Sequence, residues 1–216
     1  MLSQLTATLT APKPWPPDIF ESRRAAIMRA PAVAGGLSPL RLIQELRSVF
    51  PRDGVATCDV GSHKLVMGQF WKCYEPGTFL TSNGLSGMGF GIPAAIAAQI
   101  VQPETPALAV VGDGGMLMMV HDLALIRELA LPVIVVVLSD RSLSLIRVSA
   151  ERRGFPAYGV DFTPPDFARI AQAFGIASQR ATSIQAAKAC VETALSKRIP
   201  FLLEVPVDYR EYYDLV

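Results

Sequence analysis

The stretch ALAVVGDGGMLMMVHDLALIRELALPVIVVVLSDRSLSLIR, residues 107–147, decides how the chain folds. Its opening apolar run, 107–111, reads as a buried strand that stops at Gly112-Asp113-Gly114-Gly115. Apolar residues then recur at three- and four-residue spacing, which predicts a helix over 116–129. A second apolar run, 133–138, closes on Ser139-Asp140. Strand, tight glycine turn, helix and strand make a βα unit, whose two strands lie parallel because the helix crosses over between them.

The same alternation extends outward. Strand-like runs lie near 55–60, 78–81, 176–180 and 201–205, and helical patterns near 40–48, 63–74, 89–101, 166–174 and 184–196. This predicts an α/β protein, a doubly wound parallel sheet with helices on both faces. The pattern over 89–101 is rich in glycine and alanine, a composition that allows close backbone packing. Residues 1–36 read differently. Prolines at 12, 14, 16 and 17, a basic helix-like piece at 23–29 and Ala34-Gly35-Gly36 suggest a linker or the tail of a missing preceding domain, with the folded domain over 37–216.

The chain has 216 residues, enough for one α/β domain with an appendage. Half of the residues are hydrophobic and the formal net charge is +1, which argues against a nucleic-acid partner. No stretch approaches the roughly 18–20 apolar residues of a membrane span, so no membrane association is expected. Cys58, Cys73 and Cys190 lack metal-ligand spacing and are read as buried thiols of a cytoplasmic protein.

Two glycines after Asp113 offer backbone N–H groups at a helix start, where a phosphate is favoured. Asp113 and Asp140 both fall at carboxyl ends of parallel strands, where open α/β sheets bind ligands. Two carboxylates beside a diphosphate suit Mg2+, which takes oxygen ligands. Taken alone, an aspartate at a strand-to-helix junction is equally an N-cap, and GDGG also occurs in unrelated flavin- or nucleotide-binding domains.

The whole arrangement resembles the thiamine diphosphate enzymes, whose metal motif opens with GDG and closes on Asn or Asp; here Asp140 lies 27 residues after Asp113. Two further segments, TCDVGSHKLVMGQFW and FLTSNGLSGMGFGIPAAIAAQ, resemble that family's acetolactate synthase-like group in order and spacing. The resemblance implies the thiamine diphosphate-binding, flavodoxin-like fold. It implies Mg2+ held by Asp113, Asp140 and the Ser142 carbonyl, and diphosphate contacts from Gly61, Ser62, His63, Gly112, Gly114 and Gly115, with Leu143 and Ser144 beside the cofactor. Ser62 stands where the family has Gln. Met88 falls at the position that props the cofactor into its bent shape, and the Ser86 carbonyl at one that holds its aminopyrimidine. Ser144, Leu145 and Ile146 fall on the wall facing the reacting carbon, Leu145 and Ile146 being readable equally as core. Ser149 stands where biosynthetic acetolactate synthases carry Trp, which removes one determinant of the second 2-oxo acid. His121 has no counterpart and reads as a helix-surface residue.

The activating glutamate of the family comes from a pyrimidine-binding domain, and none of residues 1–36 supplies it. The resemblance therefore implies a 2-oxo acid decarboxylase or carboligase active with a pyrimidine-binding subunit or domain, as a hetero-oligomer built on a dimer of units. Its substrates would be 2-oxo acids or aldehydes. The alternative is a non-catalytic thiamine diphosphate-binding or assembly module.

Overall fold

The computed structural model describes residues 37–215, together with Pro16, Asp18, Ile19, Glu21 and Ser22. Apart from those five positions, the linker expected over 1–36, with its proline cluster and basic piece, lies outside the described residues. The residues from Leu37 onward belong to a single compact unit.

Six strands, β1 (Val55–Cys58), β2 (Phe79–Thr81), β3 (Ala107–Gly112), β4 (Ile134–Ser139), β5 (Ala177–Arg180) and β6 (Phe201–Pro206), form one sheet in the order β2-β1-β3-β4-β6-β5. Every pairing is parallel. Burial explains the near-continuous apolar runs, because a sheet covered on both faces has no wet side. In β3, Ala107, Ala109 and Val111 face one core while Leu108 and Val110 face the other, all essentially without solvent contact.

Helices α1 (Pro39–Val49), α2 (Ser62–Phe70) and α8 (Ile184–Lys197) cover one face. Helices α3 (Gly91–Val101), α5 (Asp122–Glu128) and α7 (Phe167–Ala173) cover the other through Ile92, Ile96, Leu123, Ile126, Phe167 and Ala171. Their starts follow local rules: Ser38, Asp166 and Ser183 each accept an N–H from three residues on, and Pro39 stands at the first helical position. The doubly wound sheet with helices on both faces is thus present.

Three details depart from the sequence pattern. The helix expected over 116–129 is two, α4 (Asp113–Met118) and α5, joined at Met119-Val120-His121. The apolar repeat runs across the bend because Met116 and Leu123 enter the same core, so periodicity could not show it. Helix α2 stops at Phe70 rather than 74, where Trp71 turns out to pack its ring against Phe50 and the Arg47 guanidinium. Helix α6 (Ser144–Arg152) was not expected; only Ser144 and Val148 are buried, too few for an apolar stripe. The chain ends in a 3-10 turn, Tyr209–Glu211, and a short helix, α9 (Tyr212–Leu215).

Cys58 and Cys190 are buried as expected, but Cys73 is exposed because it follows the early end of α2. Among the described residues no helix is long and apolar enough to cross a membrane.

Leu202, fully buried in β6 against the α3–α5–α7 core, gives a direct test of this architecture. Leu202→Ala should cost about 2–5 kcal/mol in urea denaturation.

Candidate functional site

In chain order, the sheet steps from β1 out to β2 on one side and then returns to place β3 on the other. That reversal opens a crevice at the carboxyl ends of β1 and β3, the place where doubly wound sheets receive ligands. Four loops meet there: those following β1, β2, β3 and β4.

Asp113 is the first residue after β3 and Asp140 the first after β4. The buried Asp113 carboxylate accepts the N–H groups of Gly114 (2.9 Å) and Arg141 (2.7 Å) and a long bond from the Ser139 hydroxyl (3.4 Å). Burial raises its affinity for a proton and these bonds oppose the rise. Asp140, half-buried, accepts the Ser142 N–H (3.0 Å). Burial pushes Asp140 up to about 7; the Ser144 and Ser142 hydrogen bonds oppose this and the negative charge of Asp113 adds to it. Among the described residues neither carboxylate has a Lys or Arg in ion-pair range.

The chain between Asp140 and α6 is tied to the segment 160–162. Leu143 donates to the Val160 carbonyl and Phe162 to the Arg141 carbonyl, while the Leu143 carbonyl takes the first N–H groups of α6. No hydrogen bond among the described residues engages the Ser142 carbonyl between them.

On the other side of the crevice Gly61, Ser62 and His63 open α2. His63 is wedged between glycines: a Cβ at Gly61 would come 2.7 Å from its Cε1, and one at Gly112 3.2 Å. A side chain at Gly61 would force the ring to shift, and one at Gly112 would crowd it. His63 Nε2 and the Ser62 hydroxyl are both buried without a hydrogen-bond partner. Burial pushes the His63 pKa down to about 4, against the attraction of the Asp59 charge and a hydrogen bond with the Asp59 backbone.

A single cleft is lined by Gly61, Ser62 and His63 from the β1 loop, Met88 from the β2 loop, and Gly112, Asp113, Gly114 and Gly115 from the β3 turn. Asp140, Ser142, Leu143, Ser144, Leu145 and Ile146 complete it from the β4 side. Gly114 lets the backbone pass between Met88 and Leu143, whose side-chain ends lie 3.0 and 3.1 Å from where its Cβ would stand. Ile146 is exposed and Leu145 half-buried, so both belong to the mouth rather than the core. Ser86 lies outside the lining; its hydroxyl accepts from Lys64 and donates to the Ser82 carbonyl. His121 is exposed and its Nε2 lies 3.4 Å from Asp122, but it stands in the turn between α4 and α5 rather than on a helix surface, because the expected helix breaks there.

Val60, Leu138 and Tyr212 also line the cleft and were not anticipated. Tyr212 arrives from the end of the chain on α9, with no motif to announce it. Asp59, buried beneath the cleft, was also missed, although it carries the signal that picked out Asp113 and Asp140: an acidic residue at the carboxyl end of an apolar strand.

Comparison with known proteins identifies the family. Residues 59–205 match the family described as thiamine pyrophosphate enzyme, C-terminal TPP binding domain. A probable acetolactate synthase large subunit of Methanocaldococcus jannaschii is 29% identical over 94% of this chain and 36% of its own. The acetolactate synthase isozyme 2 large subunit of Escherichia coli is 34% identical over 79% of this chain and 31% of its own. The chain therefore spans about a third of the length of the curated relatives it matches. A solved thiamine diphosphate-dependent 4-hydroxybenzoylformate decarboxylase of Rhodococcus jostii superposes with a TM-score of 0.78 at 23% identity, over 85% of this chain and 35% of that one.

A histidine neutral in the fold stabilises it fully above the unfolded pKa of 6.5, and that stability falls away as pH drops toward 4. In NMR titration the His63 ring should accordingly stay neutral through pH 6 and protonate near 4. Protonation near 6.5 would place the ring in water.

Proposed function

The chain belongs to the thiamine pyrophosphate enzyme family, whose C-terminal cofactor-binding domain it carries, and from this we propose that it is the metal- and diphosphate-gripping part of a 2-oxo acid decarboxylase or carboligase. We read residues 37–216 as that domain, working in the cytoplasm with a pyrimidine-binding subunit or domain that supplies the activating glutamate. The assembly would be a hetero-oligomer built on a dimer of such units.

The observation that carries this reading is the pairing of opposites in one cleft. Asp113 and Asp140 bring two carboxylates that no Lys or Arg among the described residues pairs with, while His63 Nε2 and the Ser62 hydroxyl are buried without partners. Unsatisfied buried polar groups cost about 1–3 kcal/mol each, and a magnesium diphosphate would satisfy both sets at once. Asp113, Asp140 and the Ser142 carbonyl suit Mg2+, which takes oxygen ligands and shares them with phosphates. Ser62, His63 and the N–H of Gly115 suit the diphosphate, whereas the N–H of Gly114 is taken by Asp113. The shorter side chain of Ser62, compared with the family's Gln, reaches less far into the cleft.

When bound, thiamine diphosphate supplies the electron sink through which a 2-oxo acid loses carbon dioxide and its remainder passes to a second carbonyl. This chain orients and shields. Met88 braces one side of the cleft, and Leu145 and Ile146 give its mouth an apolar wall that keeps water from the reacting carbonyl. A neutral His63 donates or accepts a hydrogen bond without adding charge.

The need for a partner is supported by the shape of the cleft. It encloses about 110 Å³, short of the roughly 300–1,000 Å³ typical of sites that bury a drug-sized ligand. Leu85, Leu117, Met118 and Ile146, on loops and helices at the carboxyl ends of the strands, expose large apolar side chains, as a surface that docks another domain does.

Titration calorimetry of thiamine diphosphate with Mg2+ should show binding that Asp113→Ala and Asp140→Ala each abolish, and that a pyrimidine-domain protein tightens. Binding that survives both substitutions would refute the metal assignment; intact binding with no activity alongside any such protein would favour the non-catalytic module. The metal-free chain should also gain about 1 kcal/mol or more of stability at pH 8 from Asp140→Asn, because a charge buried beside Asp113 is removed. Chemical denaturation reads this directly.

A further inference from the structure

Asp59 follows β1 directly and is 1% exposed. Its Oδ1 accepts the N–H groups of Gly89 (2.9 Å) and Phe90 (3.0 Å), and its Oδ2 lies 3.1 Å from the same Gly89 nitrogen. These are the two residues that follow Met88 and lead into α3. Among the described residues no Lys or Arg pairs with it, so the carboxylate rests on backbone N–H groups and the positive end of a three-turn helix.

The surroundings are shaped to admit it. A Cβ at Gly115 would stand 2.1 Å from Asp59 Oδ2, and one at Gly91 3.0 Å from Asp59 Cβ. Glycine at both positions therefore leaves the space that the carboxylate fills. The backbone of Asp59 is fixed as well: its N–H donates to the Val110 carbonyl of β3 (2.9 Å). Gly89 has φ +92, a left-handed geometry that its N–H bonds to Asp59 help hold.

We infer that Asp59 is a positioning residue that pins the Met88-Gly89-Phe90 turn from below and so sets where Met88 stands in the cleft. The inference rests on the cofactor reading given above. Removing the carboxylate frees two partly buried N–H groups at the point where the β2 loop enters α3, and Met88 loses its anchor. The β3 turn and the β4 loop, which carry the metal and diphosphate groups, keep their own hydrogen bonds.

The test uses the full 216-residue chain and two probes, thiamine diphosphate with Mg2+ and inorganic pyrophosphate with Mg2+. Asp59→Asn should hold pyrophosphate within about twofold of the parent yet lose about tenfold or more for thiamine diphosphate. Combined with Met88→Ala, it should add nothing to the loss from Met88→Ala alone. Amide exchange should quicken at Gly89 and Phe90 and stay unchanged along β3. Equal loss for both probes, additive losses, or unchanged exchange would each overturn the inference while leaving the cofactor reading intact. A parent that binds neither probe overturns both. Asp59→Ser guards against simple misfolding; if neither variant folds, the residue is structural and the inference fails.

Discussion

Three carboxylates, Asp59, Asp113 and Asp140, stand one residue past the ends of β1, β3 and β4, which are neighbours in the sheet. An ionised carboxylate removed from water must find donors or a cation, or else take up a proton. Each of these is met first by backbone N–H groups: Gly89 and Phe90 for Asp59, Gly114 and Arg141 for Asp113, Ser142 for Asp140. Glycines beside this row leave the space that its side chains fill. Gly115 and Gly91 make room for Asp59, and Gly61 and Gly112 for the neighbouring His63.

The three acids differ in what remains unmet. Asp59 is enclosed by the ends of α3 and α4 and faces no cavity, so its needs are filled within the chain. Asp113 and Asp140 line the cleft, and burial together with their mutual repulsion raises the proton affinity of Asp140. Among the described residues no Lys or Arg pairs with either, and the Ser62 hydroxyl and His63 Nε2 beside them are buried without partners.

Much of this was legible in residue order. Apolar runs of five or six residues gave β1, β3, β4 and β6 to within two residues, because the middle of a sheet buried on both faces tolerates little else, whereas the edge strands β2 and β5 are only partly buried or exposed. The glycine-aspartate turn and the 27-residue spacing to Asp140 located the cleft. Of the fifteen residues that the family resemblance assigns to the site, fourteen line the cleft and Ser86 does not. The break between α4 and α5 was hidden because the apolar repeat continues through it, and α6 because a helix at a cleft mouth has only Ser144 and Val148 to bury.

By itself the sequence determined the βα order, the parallel sheet and the identity of the turn residues, since these depend on local periodicity and on which residue types fit a tight junction. Only the tertiary structure decided which side chains share one cavity. Tyr212 joins Asp113 and Asp140 because β6 lies beside β4 and carries the end of the chain back over the site. Asp59 acquires its partners because β1 runs between β2 and β3, which brings the loop after one and the helix after the other onto a single carboxylate. Strand order is set by long-range packing, and no short stretch of residues records it.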